Sequence, residues 1–420
     1  MKALALFSGG LDSMLAMRLI TAQGIAVKAL NINIGFGSRA DKSADMARRA
    51  ALVGADFAVV DMRSPYLQSV LFSPSYGYGK HFNPCIDCHA FMFKTALAMM
   101  EHEGASFIIT GEVLGQRPMS QRGDALAKVR NLAEAGLDED AQNLILRPLC
   151  AKNLPPTKPE IMGWVDREKF EKISGRSRKR QLELAAEFGL EDFESPGGGC
   201  LLTLQSFASK IKDYKAFEAD MGVNDAQLLK YGRHLRLPRG AKMIVGRNEL
   251  ENELLRALKT PKYEEIELFE VVGAYSLVNF GGNLGVNLNS ALNFGENSHS
   301  NLSENLDAGV NLALNLGSSL NSVSNLNFGA SGAENSRFNS NLSVVNSRSG
   351  GDFDLNNAKN SSGNADFIDE GDLNLALKIA LTYAKTQPDK SYKIGFKGQI
   401  YTASPLKDKK EIEKFFVGKA

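Results

Sequence analysis

Over the first 150 residues, short apolar runs alternate with stretches of helical period. Ala3 to Phe7, Ala26 to Ile34, Phe57 to Asp61 and Phe107 to Thr110 read as buried strands. Asp41 to Leu52 and Ala90 to Glu103 read as helices, stopped by Gly54 and Gly104. Such alternation predicts an α/β domain with a doubly wound parallel sheet, whose ligands gather beyond the carboxyl ends of the strands.

The pattern then changes. Residues 151–202 carry Pro155, Pro156 and Pro159, short helices, the basic cluster Arg176, Arg178, Lys179 and Arg180, and the turn Ser195-Pro196-Gly197-Gly198-Gly199-Cys200, and read as an extension of the first domain. Residues 203–275 and 365–420 predict a smaller C-terminal α+β domain, with a helix from Asp372 to Thr386 and strands from Tyr392 to Tyr401. Between them, 276–364 is dominated by Asn, Ser, Gly and Leu, with echoes such as Val278-Asn279-Phe280-Gly281 and Leu292-Asn293-Phe294-Gly295. That composition does not readily offset the entropy of ordering and predicts a disordered insertion.

Charge changes this picture only locally. The 420 residues hold 49 Lys and Arg against 48 Asp and Glu, which excludes a global polycation. Six Lys or Arg and no acid lie between Lys230 and Arg247, so Arg233 and Arg236 join the 176–180 cluster as candidate phosphate-backbone contacts. The chain runs from Lys2 straight into a core strand and has no 18-residue apolar span, so a cytoplasmic protein without membrane contact is expected. In that compartment four cysteines point to redox or metal chemistry rather than disulfide staples.

Directly behind the first strand stands Ser8-Gly9-Gly10-Leu11-Asp12-Ser13. Its glycines let consecutive N–H groups turn inward as a nest, and the helix start behind adds positive potential, so phosphate oxygens are the natural occupant. Asp12 or Ser13 is expected to cap that helix, with Asp12 also placed to help hold Mg²⁺. No Gly-Lys-Ser or Gly-Lys-Thr follows, which excludes a Walker loop. The hexapeptide resembles the pyrophosphate loop of N-type (PP-loop) ATP pyrophosphatases, with an adenine nucleotide alpha hydrolase-like fold.

Asn83-Pro84-Cys85-Ile86-Asp87-Cys88-His89 precedes a helix whose N-terminus is expected to depress thiol pKa values, and Cys200 ends its glycine turn. Cys150 lacks such a setting and is assigned to packing. Three chemical roles are open for Cys85, Cys88 and Cys200: a [4Fe–4S] cluster with one open iron, persulfide transfer closing a disulfide, or a zinc site with His89 or Asp87. The bland alternative is three small core side chains.

Together with Ile109-Thr110-Gly111-Glu112 at a strand end, these motifs resemble the tRNA 2-thiouridine and 4-thiouridine synthetases over about the first 200 residues. The 232–252 region resembles the RNA-binding region of NFACT proteins. The resemblance implies ATP with Mg²⁺ as cofactors, tRNA as substrate, and a cysteine desulfurase or sulfur carrier as donor. It implies Cys88 as the catalytic cysteine four positions after the Asn-Pro pair, with Cys200 as its partner. Ser8, Gly9, Gly10, Leu11 and Ser13 would hold the departing pyrophosphate, Asn31 to Gly35 would line the adenine pocket, and Gly111 and Glu112 would approach the α-phosphate or ribose. Gln116, Arg117 and Ser120 would face the base or phosphate beyond that strand. Two other readings are an amide- or nitrile-forming ATP pyrophosphatase with a zinc site and a non-catalytic ATP- and RNA-binding protein.

Overall fold

The computed structural model describes residues 1–38, 40–194, 199–281 and 370–418. These fall into two compact units, one of Met1–Lys230 with the last residues from Val417, the other of 231–281 with 370–416. The 276–364 expectation lies mostly outside the described residues, as do Ser195 to Gly198.

In the first unit β1 (Lys2–Leu6), β2 (Ala26–Asn33), β3 (Ala55–Asp61), β4 (Phe107–Thr110) and β5 (Ile145–Leu146) form a sheet ordered β3-β2-β1-β4-β5. Every pairing is parallel, as the alternation predicts. Ala3, Leu4 and Ala5 of the central strand have at most 1% exposure, because helices cover both faces. Those helices are α1 (Leu11–Thr21), α2 (Ser43–Leu52), α3 (Arg63–Tyr66), α4 (Cys85–Glu103), α5 (Gly123–Glu134), α6 (Lys158–Ile161), α7 (Lys179–Glu187), α8 (Gln205–Phe217) and α9 (Val223–Leu228). The order reverses between β1 and β4, and the Ser8–Ser13 turn leaves β1 at that switch.

Three boundaries differ from the sequence reading. Residues 203–230 belong to the first unit, because Phe207, Ile211 and Tyr214 of α8 complete its core and Phe207 packs edge-on against Phe36 at 6.0 Å. Helix α4 starts at Cys85 instead of Ala90, which places Cys85 and Cys88 in its first turn. Ser276–Asn279 is a buried strand rather than the start of an insertion, since Leu277 and Val278 are fully buried in the second core region.

In the second unit β6 (Arg233–Arg236), β7 (Lys242–Val245), β8 (Glu264–Leu268), β9 (Ser276–Asn279), β10 (Tyr392–Phe396) and β11 (Gln399–Ala403) form an antiparallel sheet ordered β11-β10-β8-β9-β7-β6. The helix Glu370–Thr382 buries Leu373, Ala376, Leu377 and Ala380 in the same core as Met243, Ile394 and Phe396. Among the described residues no helix is long and apolar enough to cross a membrane.

Candidate functional site

The glycine turn, the candidate phosphate cradle, has the geometry of a strand-to-helix turn. Gly9 has φ +80°, a conformation that L side chains resist, and it turns the chain from strand to helix. The first helical bond runs from Met14 N to Gly10 O at 3.2 Å, so the N–H groups before it lie in the part of a helix that lacks internal partners. Helix α1 begins at Leu11 with Gly10 as its cap residue, so neither Asp12 nor Ser13 caps it. Ser13 Oγ donates back to Gly10 O at 2.8 Å, and Asp12 faces away from the backbone.

Asp12 is the centre of a polar network. Its carboxylate accepts from Gln116 Nε2 at 2.7 Å and from Arg178 Nη2 at 3.2 Å, and Gln116 Oε1 accepts from Gln181 Nε2 at 3.0 Å. Gln181 is fully buried, and both its Oε1 and Arg178 Nε are shut from solvent with no hydrogen-bond partner. Arg178, read from sequence as an RNA contact, therefore turns in toward the cradle. Arg180 meets Glu171, Glu183 and Glu187, so its charge is balanced within the protein, whereas Arg176 and Lys179 are exposed.

Gly111 has a role different from the nucleotide approach expected of it. A Cβ there would lie 2.4 Å from Ser13 N and 2.5 Å from the Asp12 carbonyl carbon, so glycine lets the end of β4 press against the first turn of α1. Glu112 is likewise an internal residue. Its carboxylate accepts from Arg147 Nε at 2.9 Å and pairs with His89 Nδ1 at 2.8 Å, and Glu112 and Arg147 are 4% and 6% exposed. Desolvation works to raise the Glu112 pKa, but the Arg147 charge and the His89 hydrogen bond outweigh it and hold the carboxyl below its usual range. Cys150, buried as expected, donates to Glu112 O at 3.4 Å.

Asn31 Nδ2 donates to Phe7 O at 3.0 Å, and Gly35, at φ +88°, packs between Arg63 and Gln227. These residues form the edge of the cradle on the β2 side. Glu194 N bonds Gly9 O at 3.2 Å, making a parallel bridge between Glu194 and Gly10, and Lys42 pairs with Glu194. Leu201 N then bonds Phe36 O at 2.9 Å, while Phe82 N bonds Leu202 O at 3.3 Å. The chain that leaves the cradle at Glu194 is thus clasped again beside the segment that precedes Cys85, and this brings Cys200 to the thiols of α4.

Cys88 and Cys200 pack against the core, and Cys85 lies near enough to influence both. Burial first, then the Cys200 thiol, pushes Cys88 well above the ordinary thiol range, and burial and Cys85 push Cys200 up to about 12. The helix N-terminus does not depress Cys88 as expected, because desolvation dominates. Asn83 Nδ2 donates to Cys85 Sγ at 3.2 Å. The donors a zinc site would need are engaged elsewhere: His89 holds Glu112, and Asp87 accepts from Ser75 N at 2.6 Å and Tyr76 N at 3.1 Å, closing the preceding loop. Among the described residues no three His, Cys, Asp or Glu side chains stand as a ligand set for one metal ion, so Cys85, Cys88 and Cys200 as placed do not form a zinc site.

Sequence reading missed the inward turn of Arg178, the Gln181 link and the Arg147–Glu112–His89 chain. Only Arg147 gave a signal, a lone cation within the apolar run Leu144-Ile145-Leu146-Arg147-Pro148-Leu149, which implies a buried partner. In the second unit Arg233 donates to Gly246 O at 2.9 Å and its guanidinium lies 4.7 Å from the Tyr383 ring centroid, while Arg236 donates to Gly240 O at 2.6 Å. Lys242 is 1% exposed, so the six-cation run does not form one solvent face.

The strand order and parallel pairing define an α/β domain with a doubly wound parallel sheet. Residues 1–174 match the family model described as thiamine biosynthesis protein (ThiI), and residues 232–291 match the NFACT protein RNA binding domain. The chain is 32% identical over 243 residues to the tRNA-specific 2-thiouridylase MnmA of Acidithiobacillus ferrooxidans, an alignment covering 56% of this chain and 64% of that relative. It is 30% identical over 162 residues to MnmA of Helicobacter hepaticus, covering 36% and 47%. A solved 4-thiouridine synthetase in complex with RNA and bound ATP aligns over 55% of this chain and 52% of its own, at 19% identity and TM-score 0.31. The sequence matches support grouping the first unit with the PP-loop tRNA thiouridine synthetases. The chain spans 64% of the length of the first of these curated relatives and 47% of the second, less than two thirds of either.

Proposed function

We propose that this protein is a cytoplasmic enzyme that thiolates tRNA at the expense of ATP, adenylating a base carbonyl and replacing its oxygen with sulfur. The observation that carries this reading is that Glu194 bridges Gly10 in the cradle while Leu201 and Leu202, a few positions on, are clasped by Phe36 and Phe82. One segment thereby ties a pyrophosphate site to a set of thiols. A carbonyl oxygen is a poor leaving group, and transfer of AMP to it makes a good one.

In this reading the N–H groups of Gly9, Gly10 and Leu11, with Ser8, hold the departing pyrophosphate where negative charge grows. Arg178 sits 3.2 Å from Asp12, within reach of the same phosphates, and Asp12 holds Mg²⁺ when ATP is bound. Asn31 and Gly35 border the adenine, and Gly111 and Glu112 fix the strand end beneath the nucleotide. Sulfur reaches the activated carbon as the outer sulfur of a Cys88 persulfide, expelling AMP. Cys200 then attacks the Cys88 sulfur, so that a Cys88–Cys200 disulfide forms as the carbon–sulfur product departs, and a thiol reductant restores both cysteines. A cysteine desulfurase or sulfur carrier supplies the persulfide. The alternative is a [4Fe–4S] cluster on Cys85, Cys88 and Cys200, whose open iron would supply the sulfur as sulfide and would need no Cys88–Cys200 disulfide. Arg176 and Lys179, with Arg233 and Arg236, are the candidate tRNA-backbone contacts.

Nucleoside mass spectrometry of tRNA from a deletion strain tests the reading, which expects the loss of one thionucleoside and fails if none is lost. Pyrophosphate release on mixing with ATP, Mg²⁺ and bulk tRNA excludes the non-catalytic alternative.

A further inference from the structure

Tyr66 closes α3 and is fully buried. Its ring packs between Phe36, with centroids 6.0 Å apart, and Phe91, at 5.7 Å. Phe91 lies three residues beyond Cys88 on α4, and the Phe36 carbonyl holds the N–H of Leu201, next to Cys200. The ring is therefore wedged between the two backbone segments that carry the thiols. Its hydroxyl is shut from solvent and meets no acceptor at full hydrogen-bond geometry, its one near acceptor being the Cys88 sulfur. Cys88, Cys200 and Cys85 nevertheless lie near enough to perturb its ionisation. A buried hydroxyl so poorly satisfied is costly, and one turned toward Cys88 is poised for a better acceptor carried on that sulfur.

We propose that the Tyr66 hydroxyl donates a hydrogen bond to the outer, anionic sulfur of a persulfide on Cys88, so that the space among Tyr66, Cys88 and Cys200 is a binding site for a sulfane sulfur. The inference rests on the thiolation reading and names the group that holds its sulfur. The Cys88 thiolate takes the sulfur from a polysulfide: the new Cys88 S–S bond forms as the donor S–S bond breaks, and the shortened polysulfide leaves with the electron pair. The resulting anion stands in an apolar pocket, where one fixed donor replaces the water it has lost. A neutral hydroxyl stabilises the charge without quenching its nucleophilicity, as an adjacent cation would. Burial, and then the nearby thiolate charges, raise the Tyr66 pKa well above its ordinary value, so the donor proton stays in place at neutral pH.

The test compares the wild-type protein with Tyr66→Phe, which keeps the aromatic packing. Both are loaded with inorganic polysulfide under argon and desalted, and sulfur at Cys88 is measured by peptide mass and cyanolysis during exposure to dithiothreitol. The wild type is expected to keep its sulfur roughly tenfold longer, with equal melting temperatures and equal Cys88 alkylation before loading. Equal retention overturns the role of Tyr66 and leaves thiolation standing. Sulfur found only as acid-labile sulfide with iron, and none cyanolysable at Cys88, also overturns it. Should Tyr66→Phe fail to fold, wild-type protein grown with fluorotyrosine, a stronger donor, is expected to release the sulfur more slowly, and an unchanged rate overturns the proposal. Failure of the thiolation reading itself shows separately, as unaltered thionucleosides in the deletion strain.

Discussion

The two ends of the site in the first unit solve opposite physical problems. At the cradle, Asp12, Gln116, Arg178 and Gln181 form a connected polar network around a helix N-terminus. At the thiols, Tyr66, Phe36 and Phe91 surround sulfur with apolar surface, and the pKa values of Cys88 and Cys200 rise. A polyphosphate needs fixed N–H groups and positive charge, whereas a nucleophilic sulfur gains from lost solvation. The Arg147–Glu112–His89 chain links the two, because Glu112 follows the strand end that touches α1 and His89 follows Cys88.

The sharpest break of this comparison is Cys88→Ser. It is expected to lower thiolation roughly a thousandfold or more, measured as thionucleoside formed per enzyme, while ATP binding by calorimetry is retained. Asp12→Asn acts on the other end: ATP-dependent pyrophosphate release should fall about a hundredfold, with persulfide loading at Cys88 unchanged. Equal loss of both readouts in either variant would show that the ends are not separable.

Glu112→Gln attacks the link. It leaves Arg147 buried without a counter-charge and is expected to cost about 3–5 kcal/mol in urea unfolding. The same carboxyl sets an acid limit. Its folded pKa is depressed, so its contribution is complete above the unfolded value and is lost as pH falls through the folded one. Stability of the wild type should therefore drop below about pH 4, and Glu112→Gln should flatten that part of the curve. Gly111→Ala forces a Cβ into the Asp12–Ser13 backbone and should cost about 1–3 kcal/mol while weakening ATP binding. The smallest expected effect is kinetic: iodoacetamide should modify Cys200 at pH 8 far more slowly than free cysteine, because burial holds its thiol up at about 12. A rate equal to that of free cysteine would deny the apolar character of this end.

The parallel sheet was legible because apolar runs of strand length alternate with helices, and the Ser8–Ser13 turn was legible because its glycines follow β1 directly. What remained hidden depends on contacts between residues distant in the chain. Nothing near Tyr66 in sequence announces a hydroxyl facing three thiols, since Cys88 and Cys200 lie 22 and 134 positions away. Arg178 looked like its neighbours in a basic run, yet only the packing of α7 against α1 turns it to Asp12. Helix α8 was assigned to the wrong unit because its apolar spacing shows that a face is buried without showing against what.

The bridge between Gly10 and Glu194 has a metric consequence. Cys200 lies six positions after Glu194, and a fully stretched chain covers at most about 3.5 Å per residue, so Cys200 is leashed within about 21 Å of the residue bridged to Gly10. Under the thiolation proposal, a nucleobase served by both ends must come to a fixed spot inside that radius. The leash measures how far an RNA substrate has to extend a single base, and lengthening it by inserted glycines would loosen that requirement.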